Sequence, residues 1–336
     1  MDSPYSPVEF ALLNDWQRDF PIVAQPFRRL GESLNSDEDA VLSTLRRLNG
    51  RGAISRVGAV FAPRRVGAST LAALAAPARR LEEIAALVSA RAEVNHNYQR
   101  EHAWNLWFVA TAADRATLAA VLAAIEAETG CAVISLPLEC EYHIDLGFDL
   151  SSPHKHTANV PTAAAREPDG DEKRLIAALQ DGLELVARPF ACLGERVGMD
   201  ESEVLRRVSG WIDEGMIKRF GVVVRHHELG YRANAMVVFD VPDAEVDRIG
   251  RRLAARAGVT LCYRRSRSLP DWPYNLYCMV HGRSRAEAQP VIECLGELAG
   301  TAGLALFSTR RFKQCGARYF PSVSGERETP IESADV

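Results

Sequence analysis

Pro26-Phe27-Arg28-Arg29-Leu30-Gly31-Glu32 and Pro189-Phe190-Ala191-Cys192-Leu193-Gly194-Glu195 share Pro-Phe and Leu-Gly-Glu at an offset of 163 residues. The same offset, without a gap, pairs Asp37-Glu38 with Asp200-Glu201, Val41-Leu42 with Val204-Leu205 and Gly52 with Gly215, and it continues through Ile54/Ile217, Arg56/Arg219, Gly58/Gly221 and Gly67/Gly230. A gapless run of this length marks an internal duplication, so the fold is read as one unit written twice. Farther on, Val94/Val259 and Tyr98/Tyr263 stand at offset 165 and Asn105-Leu106/Asn275-Leu276 at offset 170, which gives the second copy five extra residues in one loop.

Each copy has the same order of elements. Residues 26 to 34 and 37 to 48 read as two short helices; in the second, Val41, Leu42, Leu45 and Leu48 make one apolar stripe. Ser36 and the acids Asp37, Glu38 and Asp39 suit its start, Gly50 and Gly52 its end, and Ile54 to Phe61 reads as a strand. That is a winged helix-turn-helix. A strand near 70 to 76, a helix over 79 to 90, strands at about 92 to 98 and 103 to 111, a helix over 114 to 129 and a strand from 132 to 142 follow, the βαββαβ order of a ferredoxin-like domain. The expected class is α+β, a tandem duplication. Winged helix-turn-helix units fall at 1–66 and 173–229, ferredoxin-like domains at 67–148 and 230–320, a linker at 149–172 and a tail at 321–336. Ser151 to Gly170 is rich in Ser, Pro, Thr and Ala, as a flexible connector is, and its His154 and His156 have no third ligand nearby. The two copies are expected to pack as an internal dimer with their sheets joining at the centre.

At 336 residues, 47% of them hydrophobic, the chain can bury two proper cores. Lys+Arg 40 against Asp+Glu 44 gives a net charge of -4, which argues against a binder of nucleic acid whose whole surface is basic. No apolar run approaches the roughly 18 residues of a membrane span, and Met1 to Phe10 do not read as a secretion signal. The chain is expected in the cytoplasm, with no membrane partner. Its seven cysteines (131, 140, 192, 262, 278, 294, 315) form no C-x-x-C pair and are expected to be buried reduced thiols.

A winged helix joined to a small α+β domain resembles the Lrp/AsnC regulators, with Gly52-x-Ile54-x-Arg56 through Gly58 to Gly67 at the junction. Such a fold does not settle function. A DNA-reading helix needs cations and polar groups at its N-terminal end, whereas these open on Asp37-Glu38-Asp39 and Asp200-Glu201-x-Glu203 and bring Arg46-Arg47 and Arg206-Arg207 only later. Three carboxylates at the insertion end repel phosphates, so the helix-turn-helix is expected to serve packing and no nucleic-acid partner is expected.

The chemistry-bearing stretch is the first hairpin, Val94-Asn95-His96-Asn97-Tyr98-Gln99-Arg100-Glu101-His102-Ala103-Trp104-Asn105-Leu106-Trp107-Phe108. Alternation puts His96, Tyr98 and Arg100 on one face. In the second copy, Val259 to Tyr277, Leu261 replaces His96 and arginines gather at Arg264, Arg265 and Arg267. These strings, with Arg56-x-Gly58-Ala59-Val60-Phe61 and Arg219-Phe220-Gly221-Val222-Val223-Val224-Arg225-His226, closely resemble the siroheme decarboxylase family, in its form with both subunit types fused in one chain.

The resemblance, which spans both copies, implies removal of carbon dioxide from the acetate side chains at C12 and C18 of siroheme, giving 12,18-didecarboxysiroheme for heme d1 or an alternative heme route. It implies no cofactor beyond the iron that the substrate carries. A flat apolar macrocycle rimmed by carboxylates needs an apolar slot and arginines: Arg264, Arg265 and Arg267 from the second hairpin, with Arg100, Arg56, Arg219 and Arg225 from elsewhere. Loss of carbon dioxide leaves electron density on a methylene carbon that must be protonated, which suits His96 or His102 with Tyr98 as relay; either histidine is also a candidate to face the substrate iron. Trp104, Trp107 and Tyr274 are candidate walls for the macrocycle, against the plainer reading of core aromatics, and His226, His227 and His281 keep the plain reading of satisfied residues. The competing readings are an Lrp/AsnC-type DNA-binding regulator, sensing heme, and a heme carrier without turnover. One functional site per chain is expected, with a homodimer as a further possibility for assembly.

Overall fold

The computed structural model of the chain describes residues 5–62, 65–144, 166–225 and 233–321. Residues 151–165 of the expected connector, with His154 and His156, lie outside the described residues, as do His226, His227 and the tail from Ser322.

Among the described residues each winged unit has three α-helices rather than two. Helix α1 (Pro7–Asn14) precedes α2 (Pro26–Ser33), α3 (Glu38–Gly50) and strand β1 (Ile54–Phe61); α6 (Gly170–Leu179) precedes α7 (Pro189–Val197), α8 (Glu201–Asp213) and β6 (Ile217–Val224). The additional helices begin at capping boxes. The Glu9 side chain accepts the Ser6 N–H at 2.9 Å while the Ser6 hydroxyl accepts the Glu9 N–H, and Glu172 and Asp169 repeat this 163 residues later. Helix α6 therefore starts inside the stretch 149–172 read as linker.

The acids that open α3 and α8 are helix caps. Asp37 accepts the Ala40 N–H at 2.6 Å and Asp200 that of Glu203 at 2.8 Å, each worth roughly 1 kcal/mol. The later cations find partners within the winged units, three of them at the surface: Arg46 donates to the Leu185 carbonyl, Arg47 to Glu9, and Arg206 and Arg207 to Glu203. Strands β1 and β6 pair antiparallel with Gly58 opposite Gly221, and one core containing Phe27, Leu45, Phe190 and Trp211 runs through both winged units.

In the first α+β domain the order is β2 (Ala68–Leu74), α4 (Leu81–Ala90), β3 (Val94–Arg100), β4 (Leu106–Ala112), α5 (Arg115–Thr129) and β5 (Val133–Ile144). In the second it is β7 (Ala233–Phe239), α9 (Val246–Ala254), β8 (Val259–Arg265), β9 (Leu276–Gly282), α10 (Arg285–Ala299) and β10 (Leu304–Gln314). The expected joining of sheets goes further than contact, because the eight strands close into a barrel, β10-β3-β4-β2-β5-β8-β9-β7. Strands β5 and β10 make the closure. Val133–Pro137 of β5 pairs with β2 of its own copy and Leu138–Ile144 with β8 of the other; Leu304–Phe307 of β10 pairs with β7 and Ser308–Gln314 with β3. Alternate residues then part. Ala72, Leu74 and Phe108 pack outward under α4 and α5, Phe239, Leu276 and Val280 under α9 and α10, while Leu71, Ala73, Trp107, Tyr263 and Tyr277 line the interior.

Strand β4 begins at Leu106 rather than near 103, which leaves His102 and Trp104 on the hairpin loop. The Asn105 side chain sets this boundary, bonding both the N–H (2.9 Å) and the carbonyl (2.8 Å) of Ala76; Asn275 does the same at Val241. The seven cysteines are reduced thiols, none in a disulfide, but burial holds only for Cys262 and Cys278; the other five are half-buried. Among the described residues no helix is long and apolar enough to cross a membrane.

Gly221 tests the seam between the winged units, since a Cβ there would sit 2.4 Å from the Trp16 carbonyl oxygen. Gly221→Ala is expected to destabilise by about 1–3 kcal/mol, read as a lower urea midpoint. Gly50→Ala, with nothing within 4 Å of its Cβ, should be neutral or slightly stabilising.

Candidate active site

The interior of the barrel is where the first hairpin delivers its side chains. Register decides this. Val94 stands opposite Ala110, which packs under the helices, yet His96 stands opposite Val109 at the interior. A bulge between Val94 and His96 makes the switch, turning His96 inward although it stands two positions after an outward valine. Tyr98 then pairs with the interior Trp107. The second copy has the same bulge and sends Leu261 and Tyr263 inward against Met279 and Tyr277.

Arg100 and Arg265 complete a pseudo-twofold arrangement. Arg100 Nη1 donates to the Leu306 carbonyl at 2.8 Å and Arg265 Nη1 to the Leu136 carbonyl at 2.8 Å. Each guanidinium lies over a tyrosine, Arg100 at 5.9 Å from the Tyr98 ring and Arg265 at 4.6 Å from that of Tyr263. Both Nε atoms are buried without a hydrogen-bond partner among the described residues. Burial pulls Arg100 down to about 10, with Tyr263 and Tyr98 opposing, so it remains a cation at neutral pH. An unsatisfied, partly desolvated donor in an apolar barrel is a site prepared for an anion.

The two imidazoles are held in complementary tautomers. His96 Nδ1 bonds the Asn95 side-chain oxygen at 2.7 Å, which places the proton of the neutral ring on Nδ1 and leaves Nε2 basic. His102 Nδ1 accepts the Trp104 N–H at 3.0 Å, so its proton is on Nε2. Burial, and secondarily the Arg56 cation, lowers His96 to about 4; burial also lowers His102. Burial raises the Tyr98 phenol, against Arg311 and Arg100. His96 is thus neutral and Tyr98 protonated at pH 7. Four strand residues, roughly 13 Å, separate His96 from the end of β3, beyond which His102 stands at the mouth.

The interior therefore brings together His96, Tyr98, Arg100 and Arg265, with His102, Trp104 and Tyr274 at the mouth of the same barrel. Arg56 sits at the junction with the wing, donating to the Ala59 carbonyl at 3.1 Å and packed against Gly316 and Gly182. The other arginines are placed elsewhere. Arg264 pairs with Leu276 of the outward face and meets Glu139 at 2.6 Å. Arg267 is consumed by Asp240, Asp243 and the carbonyls of Val241 and Pro273. Arg219 donates to the Gln17 carbonyl at 3.0 Å inside the winged unit, where Arg225 also lies beside Gly52. His281 bonds the Thr260 hydroxyl, in keeping with its plain reading. Sequence reasoning passed over Asn95, which sets the His96 tautomer, and Trp272, whose ring stands against His102; counted back from Asn105/Asn275 at offset 170, Trp272 falls opposite His102.

A histidine whose native value lies below its unfolded one binds a proton in the unfolded chain first, so its contribution to stability is present above about 6.5 and is lost as pH falls towards the native value of about 4. In urea titrations the stability of the wild-type chain relative to His96→Asn is expected to shrink steadily through that window.

Residues 65–143 and 228–313 match the AsnC-like ligand binding domain, and residues 9–54 and 172–218 match the siroheme decarboxylase NirDL-like HTH domain. The siroheme decarboxylase NirDL subunit of Paracoccus denitrificans (strain Pd 1222) is 46% identical over 316 residues, 92% of this chain and 96% of that one. A crystal structure of siroheme decarboxylase NirDL superposes with a TM-score of 0.71 at 29% identity, covering 93% of this chain and 94% of that one. The same enzyme in co-complex with an iron-uroporphyrin III analogue gives 0.70 at 28%, covering 93% of each. With full-length likeness in both copies and in the order of domains, the chain belongs to the siroheme decarboxylases of the fused NirDL type.

Proposed function

We propose that this chain is a siroheme decarboxylase, a carboxy-lyase that converts siroheme to 12,18-didecarboxysiroheme on the way to heme d1. The observation that carries the reading is the 46% identity to a NirDL siroheme decarboxylase across 92% of the chain. The barrel interior supports it, since apolar walls surround two inward cations and a neutral imidazole. The acidic, cap-forming starts of α3 and α8 favour this reading over a DNA-binding regulator.

The residues suggest a division of work. Arg100 and Arg265 grip carboxylates of the substrate from opposite sides, and Arg56 offers a third cation at the wing end. Trp104 and Tyr274 wall the macrocycle at the mouth. Each acetate, R–CH2–COO⁻, breaks its Cα–carboxyl bond; carbon dioxide leaves, the electron pair stays on the methylene carbon spread into the ring, and one proton completes R–CH3. His96 is the group to deliver that proton. It is neutral when the barrel holds no anion, and an arriving carboxylate favours its charged form, so substrate entry itself loads the ring. His102 presents its Nε2–H to the substrate, and Tyr98, held protonated, relays between His96 and the bulk. The iron belongs to the substrate.

Incubated anaerobically with siroheme, the purified chain is expected to yield a product lighter by two carbon dioxide units; unchanged mass with tight binding would make it a carrier or sensor. His96→Ala and His102→Ala should each lower kcat by about 10²–10⁴-fold while siroheme still binds and the fold persists. Arg265→Leu, which loses one charge-assisted hydrogen bond, should weaken siroheme binding by about 10- to 100-fold with less effect on kcat.

A further inference from the structure

The longer hairpin loop of the second copy folds back over the barrel mouth, and one large side chain from it enters the interior. The loop is braced at its base. Ser268 and Trp272 exchange backbone hydrogen bonds at 2.9 and 2.7 Å, and Arg267 ties the incoming strand to the Pro273 carbonyl on the outgoing side at 2.7 Å. Leu269 at the tip is 69% exposed, whereas Trp272 is 1% exposed. Its ring lies 4.9 Å from Trp107 and 4.8 Å from Tyr274, and its Nε1–H donates to the Tyr277 hydroxyl at 2.7 Å. A further neighbour is the His102 ring, perpendicular to it at 87° with centroids 5.5 Å apart.

His102 is thus fixed twice. The Trp104 N–H holds Nδ1 in the ring plane, and the indole meets the ring at a right angle, the arrangement aromatic pairs prefer. A half-turn of the imidazole would break the first contact, and a swing towards solvent would break the second. His102 and Trp272 are counterparts at offset 170, so each copy supplies from one equivalent position a different member of the pair.

We infer that Trp272 is a positioning residue for His102: a tryptophan of the second copy holds the imidazole of the first at the barrel mouth, so that the reacting groups are composite. The inference rests on the function proposed above. Misplacing a reacting group by about 1 Å can cost on the order of 100-fold, so the hold has a kinetic reading apart from any effect on stability.

The test uses the full chain labelled with ¹³C in its histidine rings, with His102→Gln identifying the His102 signal among the eight histidines. Without substrate, Trp272→Ala should move the His102 ring resonances out of the indole ring current, and Trp272→Phe, which keeps an aromatic ring there, should retain most of the shift. With siroheme, Trp272→Ala should lower kcat by about tenfold or more and change the dissociation constant by less than about threefold, and Trp272→Phe should restore kcat to within about threefold of wild type. Should Trp272→Ala fail to fold, Trp272→Phe still decides: kcat and His102 resonances both near wild type support the role, whereas a Trp272→Phe that loses kcat while its His102 signal stays in place overturns it. His102 resonances unmoved in Trp272→Ala overturn the inference by themselves. Failure of the wild-type chain to release carbon dioxide instead overturns the reading of function, whatever the resonances show.

Discussion

Two strands that serve both copies hold this molecule together. The first half of β5 completes the sheet of its own copy and its second half becomes the edge partner of β8; β10 does the same with β7 and then β3. Backbone donors and acceptors that would otherwise line open edges are thereby used, and a closed ring has none left over. Closure also creates a shared interior. Had the two sheets merely stacked face to face, Tyr98 and Tyr263 would have packed in a flat core, with no mouth for His102 to stand at.

The interior is electrically unusual for a barrel of this size. Aliphatic and aromatic residues surround Arg100 and Arg265, each of which spends one nitrogen on a carbonyl contributed across the copy boundary. Those two bonds orient the cations, and the burial that lowers Arg100 also lowers the basicity of His96. A polyanionic, flat substrate offsets that cost by bringing the missing counter-charge. The asymmetry between copies is concentrated in few positions: His96 against Leu261, and His102 against Trp272, with the arginine and tyrosine pairs retained on both sides.

Much of this was legible in the residues. The duplication, the order of elements and the shared face of His96, Tyr98 and Arg100 follow from repeats and alternation; that this face is the inner one depends on the bulge after Val94. Helices α1 and α6 were missed although Ser6-Pro7-x-Glu9 and Asp169 with Glu172 are capping boxes, because their apolar stripes are short. Arg264, Arg265 and Arg267 read as one cluster, yet the strand sends Arg264 and Arg265 to opposite faces, Arg267 lies beyond its end, and only the carboxylates Glu139, Asp240 and Asp243, remote in sequence, reveal where Arg264 and Arg267 are spent. Strand exchange through β5 and β10 carries no local signal at all; their lengths, 12 and 11 residues, are its only trace.

A ring built from unlike halves faces a hazard that one built from identical halves does not. Either half could close against its own twin, and the product would be just as well hydrogen-bonded. Two first copies would set imidazole against imidazole at the rim, and two second copies would set indole against indole, in both cases with the chemistry of only one side. Carrying both on a single polypeptide gives every half its proper mate at high local concentration before any stranger arrives, so covalent continuity here guards composition as much as stability.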